Sequence, residues 1–175
     1  MPGDAPKSGD DSQENIVSAQ ASQDRVFLVA VDASDEMTVA LRYACRRALH
    51  TGGRVALLHV IEPADFSHWA TVDDLIAKEN REKAENLLNS LSARVNNWAG
   101  SMPIIYVREG QLREELLSLI DEEPAISILV LAASPKSKGP GPLVSHIIGK
   151  AAGRLRIPVT IVPGSLSLEE VDAIS

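Results

Sequence analysis

Five apolar runs punctuate the chain: VFLVAV at Val26–Val31, VALLHVI at Val55–Ile61, IIYV at Ile104–Val107, ISILVLA at Ile126–Ala132 and IPVTIV at Ile157–Val162. Runs this continuous, with little polar alternation, predict strands buried on both faces, as in a parallel sheet. Helical periodicity fills the gaps. Met37, Ala40, Leu41, Ala44, Cys45, Ala48 and Leu49 recur at i, i+3, i+4, i+7 spacing. Ser34 is placed to cap that helix, Asp35 and Glu36 suit its first turn, and Gly52-Gly53 ends it. A longer helix is expected from a Thr71/Asp74 capping box to about Trp98, with Ala84, Leu87, Leu88, Leu91 and Val95 on one face. Further helices are expected over Leu112–Asp121 and through Ile147, Ile148, Ala151 and Leu155. Strict alternation of five strands and four helices predicts a doubly wound α/β fold, a five-stranded parallel sheet with helices on both faces. Residues 1–24, rich in Ser, Gln, Asp and Gly, read as a flexible tail. Residues 25–164 form the domain, and 165–175 an extension whose Leu166, Leu168 and Val171 pack lightly on it.

Charge narrows the function classes. The net charge is −7, so nucleic acid and anionic lipid are poor partners. Arg42, Arg46 and Arg47 sit at helical spacing and read as a solvated helix face. A single cysteine, Cys45, rules out an internal disulfide and falls on an apolar stripe, where it acts as a small hydrophobe. No apolar run approaches the ~18 residues of a membrane span, and the first residues lack a signal-peptide core. A cytoplasmic protein is expected.

In a doubly wound sheet, ligands sit outside the carboxyl ends of the strands where strand order reverses. Here those ends are Asp32, the Glu62 region and the loop after Ala132. After the first strand comes VDASDEM, which has no glycine and so no dinucleotide fingerprint; no Walker loop occurs either. A phosphoacceptor site of the receiver type would need an Asp after the third strand, where Arg108-Glu109 stands, and a Lys after the fifth, where Pro163 stands. No nucleophile–base pair is suggested, so catalytic residues are not expected. His59 reads as a satisfied core histidine, His68 and Trp69 as a loop cover, and His146 as facing either ligand or water. The loop after the fourth strand, SPKSKGPGPLVSHIIGK, is the informative segment: Lys136, Lys138 and Lys150 and several backbone amides suit an anion.

In order along the chain, VFLVAVDAS, LLHVIEP, ILVLAAS, GK-A and RIPVTIVPG resemble segments of universal stress proteins, over about Arg25 to Gly164. The resemblance implies strand order 3-2-1-4-5 and an adenine-nucleotide site, for ATP or AMP, at the ends of strands one and four. The family's binding loop reads G-x2-G-x9-G-[ST]. Anchored on Gly149, its first two glycines fall on Lys136 and Gly139 and its hydroxyl on Lys150. Anchored on the strand, they fall on Ala132 and Pro135, with about four extra residues in the loop. Either way at least two positions are lost; a Cβ crowds a phosphate and Pro removes a donor. Asp32 matches the acidic residue that meets ribose or base, and Val31 and Val60 the apolar positions beside the base.

These matches imply a stress-response protein with a weak or altered nucleotide site built from Val31, Asp32, Val60, Ala132, Gly139, Gly149 and Lys150. Phosphates would be recognised there by lysine charge, with affinity rising from AMP to ATP. The alternative is a dimeric interaction module that binds no nucleotide. A homodimer through strand five is expected in either case, because Ile157, Val159, Ile161 and Val162 would otherwise line an unpaired edge, blunted only by Pro158.

Overall fold

The computed structural model describes residues 25–31, 34–62, 70–136 and 139–175, with backbone alone for 70–77. The expected N-terminal tail, Asp32, His68, Trp69, Lys138 and the side chains of the Thr71/Asp74 cap lie outside the described residues. Strand β1 (Val26–Ala30) occupies the centre of a five-stranded parallel sheet. On one side it pairs with β2 (Arg54–Ile61), which carries the edge strand β3 (Ile104–Glu109). On the other it pairs with β4 (Ile126–Ala133), which carries the edge strand β5 (Val159–Pro163). The order is 3-2-1-4-5, as the resemblance implies.

Because strand side chains alternate faces, β1 feeds two cores. Phe27, Val29 and Val31 point to a layer built by α1 (Asp35–Thr51), α2 (Ala70–Ala99) and α5 (Leu168–Ile174). Val26 and Leu28 point to the layer of α3 (Leu112–Glu122), α4 (Pro142–His146) and the π-helical turn Ile147–Ala151 that continues it. Ser34 caps α1 as expected, its Oγ accepting from Met37 N–H at 3.2 Å, and Gly52 ends it at φ 69°. Among the described residues, no helix is long and apolar enough to cross a membrane.

Two boundaries differ from the pattern. Strand β5 starts at Val159, not Ile157, because Pro158 has no N–H to give the ladder, though its carbonyl accepts from Leu129 at 3.0 Å. The helix expected through Leu155 stops at Ala151. Gly149 and Gly153 weaken helical preference there.

The final segment binds more firmly than light packing. Ser167 and Glu170 form a reciprocal capping box that starts α5. This places Val171 in the core at 0% exposure. Its neighbour Asp172 accepts from Arg42 Nε and Nη2, both at 2.6 Å, and lies 3.6 Å from Arg46 Nε. The Arg42 guanidinium also stacks 4.9 Å from the Trp98 ring. So Arg42 and Arg46 are not part of a solvated face; they are half-buried and join α1, α2 and α5. A second arginine clamp ties the other layer. Arg156 donates to the carbonyls of Ile120, Glu123 and Ile126, satisfying the C-terminal end of α3, where positive charge is favoured. Cys45 is fully buried, and burial pushes its thiol up to about 12, so it is the small hydrophobe its stripe predicts.

Two carboxylates link the fold to pH. Arg108 and Ser118 donate to Glu122 and hold it down at about 2, from an ordinary 4.5; Arg42 likewise lowers Asp172. Depressed folded values mean that this stabilisation is complete above the unfolded range and is lost as pH falls through it. Melting temperature should therefore fall between pH 4.5 and about 2, and the Glu122→Gln, Asp172→Asn double variant should lose less over that window. Thermal melts of both proteins across that range check this; parallel losses would overturn it.

Candidate functional site

Leaving β1, the chain turns into α1 on one face of the sheet; leaving β4, it turns into α4 on the opposite face. The two connections diverge and open a crevice at the carboxyl ends of β1 and β4. The crevice holds a cavity of about 320 Å³. Its floor is Ala30, Val130, Leu131 and Ala132. One wall is Ser34, Glu36, Met37 and Ala40 from the start of α1; the other is Leu112 with Gly141, Pro142, Leu143 and Val144. Small side chains at 30, 40 and 132 leave the space that larger aliphatics fill elsewhere in the sheet.

Two glycines shape the rim. Gly141 stands at φ 96° as the residue before Pro142, a conformation that L side chains rarely adopt. Just before it, Pro140 O accepts from Ser134 N–H at 3.2 Å and closes the loop on itself. Gly164, after β5, lies so close that an added Cβ would sit 2.6 Å from Ala133 O and 2.6 Å from Glu36 Cβ.

The polar groups are few. Glu36 lies at the mouth, its carboxyl held below the usual range by the backbone amide at the start of α1 and by the Ser134 hydroxyl. Lys136 is turned outward, its Nζ 3.0 Å from Asp35 Oδ2 in an exposed pair. A second cavity of about 250 Å³ lies between the end of β2 and α2, lined by His59, Val60, Glu62 and Lys83 among others. His59 Nδ1 is buried there with no hydrogen-bond partner among the described residues.

Of the residues expected at the nucleotide site, Ala132 alone lines the crevice cavity among the described residues. Asp32 lies outside them. Val31 is buried below the floor, its N–H bonded to Leu58 O at 2.8 Å. Val60 packs toward α3 and the second cavity. Gly139 precedes the loop's Pro140 and sits on the exposed rim. Gly149 and Lys150 are not brought to the cavity: both are exposed on the π-helical turn, whose buried residues are Ile147 and Ala151. Helical periodicity explains this, since Val144, Ile147 and Ala151 share the sheet-facing side and leave 149 and 150 outside. His146 lines neither cavity. The pattern reading missed Glu36 and Ser134, treated as cap and loop, and the Gly141-Pro142 step. The available signal was Pro-Gly-Pro directly before a helix, where Pro suits the first helical position.

Comparison with known proteins agrees with this architecture. The sequence profile described as the universal stress protein family matches residues 25–163. Among curated proteins no sequence match was found. The solved universal stress protein UspA from Lactobacillus plantarum superposes with a TM-score of 0.67 at 17% identity, covering 80% of this chain and 98% of its own. A universal stress protein in complex with cAMP gives 0.56 at 17% identity, covering 81% and 98%. One from Archaeoglobus fulgidus in complex with dAMP gives 0.55 at 15% identity, covering 79% and 96%. A 3-2-1-4-5 parallel sheet with helices on both faces defines a doubly wound α/β class, and the match over 25–163 completes the assignment. This chain belongs to the universal stress protein family.

The two kinds of glycine separate experimentally. Gly164→Ala must displace backbone and should cost about 1–3 kcal/mol, whereas Gly149→Ala meets open space on a helical turn and should stabilise by about 0.5–1 kcal/mol. Denaturant midpoints of the two variants check this; similar midpoints would show that the close approach at Gly164 is not structural.

Proposed function

We propose that this chain is a cytoplasmic stress-response protein that binds an adenine nucleotide in the cavity at the ends of β1 and β4. The observation that carries the reading is the cavity's place, where the connections after the neighbouring strands β1 and β4 leave opposite faces of the sheet. Its volume, about 320 Å³, falls at the lower end of the roughly 300–1,000 Å³ typical of small-molecule sites. Met37, Val130 and Leu143 offer apolar surface for a flat base, while Ser34, Glu36 and Ser134 gather at one end for hydroxyls. Relatives of the same fold in complex with cAMP and dAMP support an adenine ligand. The reading is one of binding; Glu36 is the one titratable side chain among the described residues that line the cavity.

Thermal melting with adenine ligands tests this. A ligand at 100 times its dissociation constant should add about 2.7 kcal/mol of stability. Ala132→Phe, which fills the cavity floor, should abolish the shift while leaving a cooperative melt. A shift that survives Ala132→Phe would move the site elsewhere.

A second reading rests on the sheet edge. On β5, Val159, Thr160 and Ile161 are only half-buried, and the strand pairs on one side with β4. This supports a homodimer through β5, which can act as an interaction module with or without nucleotide. Sedimentation at micromolar concentration should show a species of twice 18.8 kDa, and a monomer alone would count against it.

A further inference from the structure

We propose that the cavity favours uncharged adenosine-like ligands over multiply charged nucleotides, with Glu36 as the residue that sets this preference. The inference rests on the site reading above and deepens it. Glu36 is half-buried in the first turn of α1 and lines the cavity. Just after β4, Ser134 lines the same cavity, and its hydroxyl helps to hold the carboxyl below its usual range. From β5, Gly164 approaches until the space behind Glu36 Cβ is closed. The stem of Glu36 is thus crowded into the cavity wall, with its carboxylate at the mouth.

The surrounding charge does not reverse its sign. Beside Glu36, Asp35 and Lys136 pair with each other at 3.0 Å. Lys150, expected to meet phosphate, stands exposed on the π-helical turn and away from the cavity. Lys136 attracts Glu36 as well as Asp35, so these three groups together keep one net negative charge, and Glu62 and Arg113 beside the adjoining cavity balance each other. A ligand's hydroxyl groups can donate to Glu36, as ribose hydroxyls would, and gain a charge-assisted hydrogen bond. Phosphate oxygens have no proton to give and meet like charge, which disfavours binding more as phosphates are added. The geometry thus points to the reverse of the AMP-to-ATP order expected from the lysines of the loop.

Calorimetric titration of the full chain with adenosine, AMP and ATP, in EDTA to remove divalent cations, tests this. Adenosine should bind at least about tenfold more tightly than ATP, with AMP between. Because screening weakens repulsion, ATP affinity should rise between about 20 and about 200 mM salt, opposite to recognition by lysine charge. Glu36→Gln should bring the adenosine-to-ATP ratio to within about threefold, and Lys150→Ala should leave the ratio as in the parent. ATP binding as tightly as adenosine, weakening with salt, or a ratio indifferent to Glu36→Gln, would overturn the preference while leaving the nucleotide site standing. If none of the three ligands binds at millimolar concentration, the site reading itself fails, and this inference with it.

Discussion

Strand β1 is hydrogen-bonded on both edges and covered on both faces, and most of the molecule is arranged by that constraint. Every backbone polar group of a central parallel strand must find its partner in a neighbour, so its side chains are left to do nothing but fill two cores. Phe27, Val29 and Val31 serve one layer, Val26 and Leu28 the other. The same pairing fixes where the chain can open. β1 and β4 are neighbours whose connections depart to opposite faces, so the sheet cannot be closed over at their carboxyl ends, and the cavity is the space left over.

What keeps that space from collapsing is a set of close approaches around it. Gly164 brings the end of β5 against Ala133 and Glu36, and Gly141 lets the chain turn sharply into α4. Small residues at 30, 40 and 132 then hold the walls apart, where the rest of the sheet is packed by Leu, Ile and Val. The cavity is thus a local exception to dense packing, and Glu36, the one carboxylate among the described residues that line it, has its stem against the contacts that build the rim.

Charged side chains hold the periphery. Arg42 gathers Asp172 and Trp98 and so joins α5 to α1 and α2, while Arg156 satisfies carbonyls at the end of α3. Both arginines act through planar, multiply donating guanidinium groups, which a lysine could not reproduce. These contacts connect segments 130 and 36 residues apart in sequence, a separation that no local pattern reports.

The sequence by itself determined the strands, most of the helices and the crevice between β1 and β4, because those follow from local hydrophobic periodicity and from the geometry of alternating βα units. It also determined that Cys45 is core and that Ser34 caps α1, since caps and stripes are read within one or two turns. Which side chains face the cavity was decided by the tertiary structure. Counting loop glycines put Gly149 and Lys150 at the site, but the phase of the helix after Pro142 turns them to solvent. Glu36 looked like a first-turn acid until β4 and β5 folded against it. Arg42 looked solvated until α5 returned across α1. In each case the deciding contact joins residues far apart along the chain, and only packing fixes the rotation of one element against another.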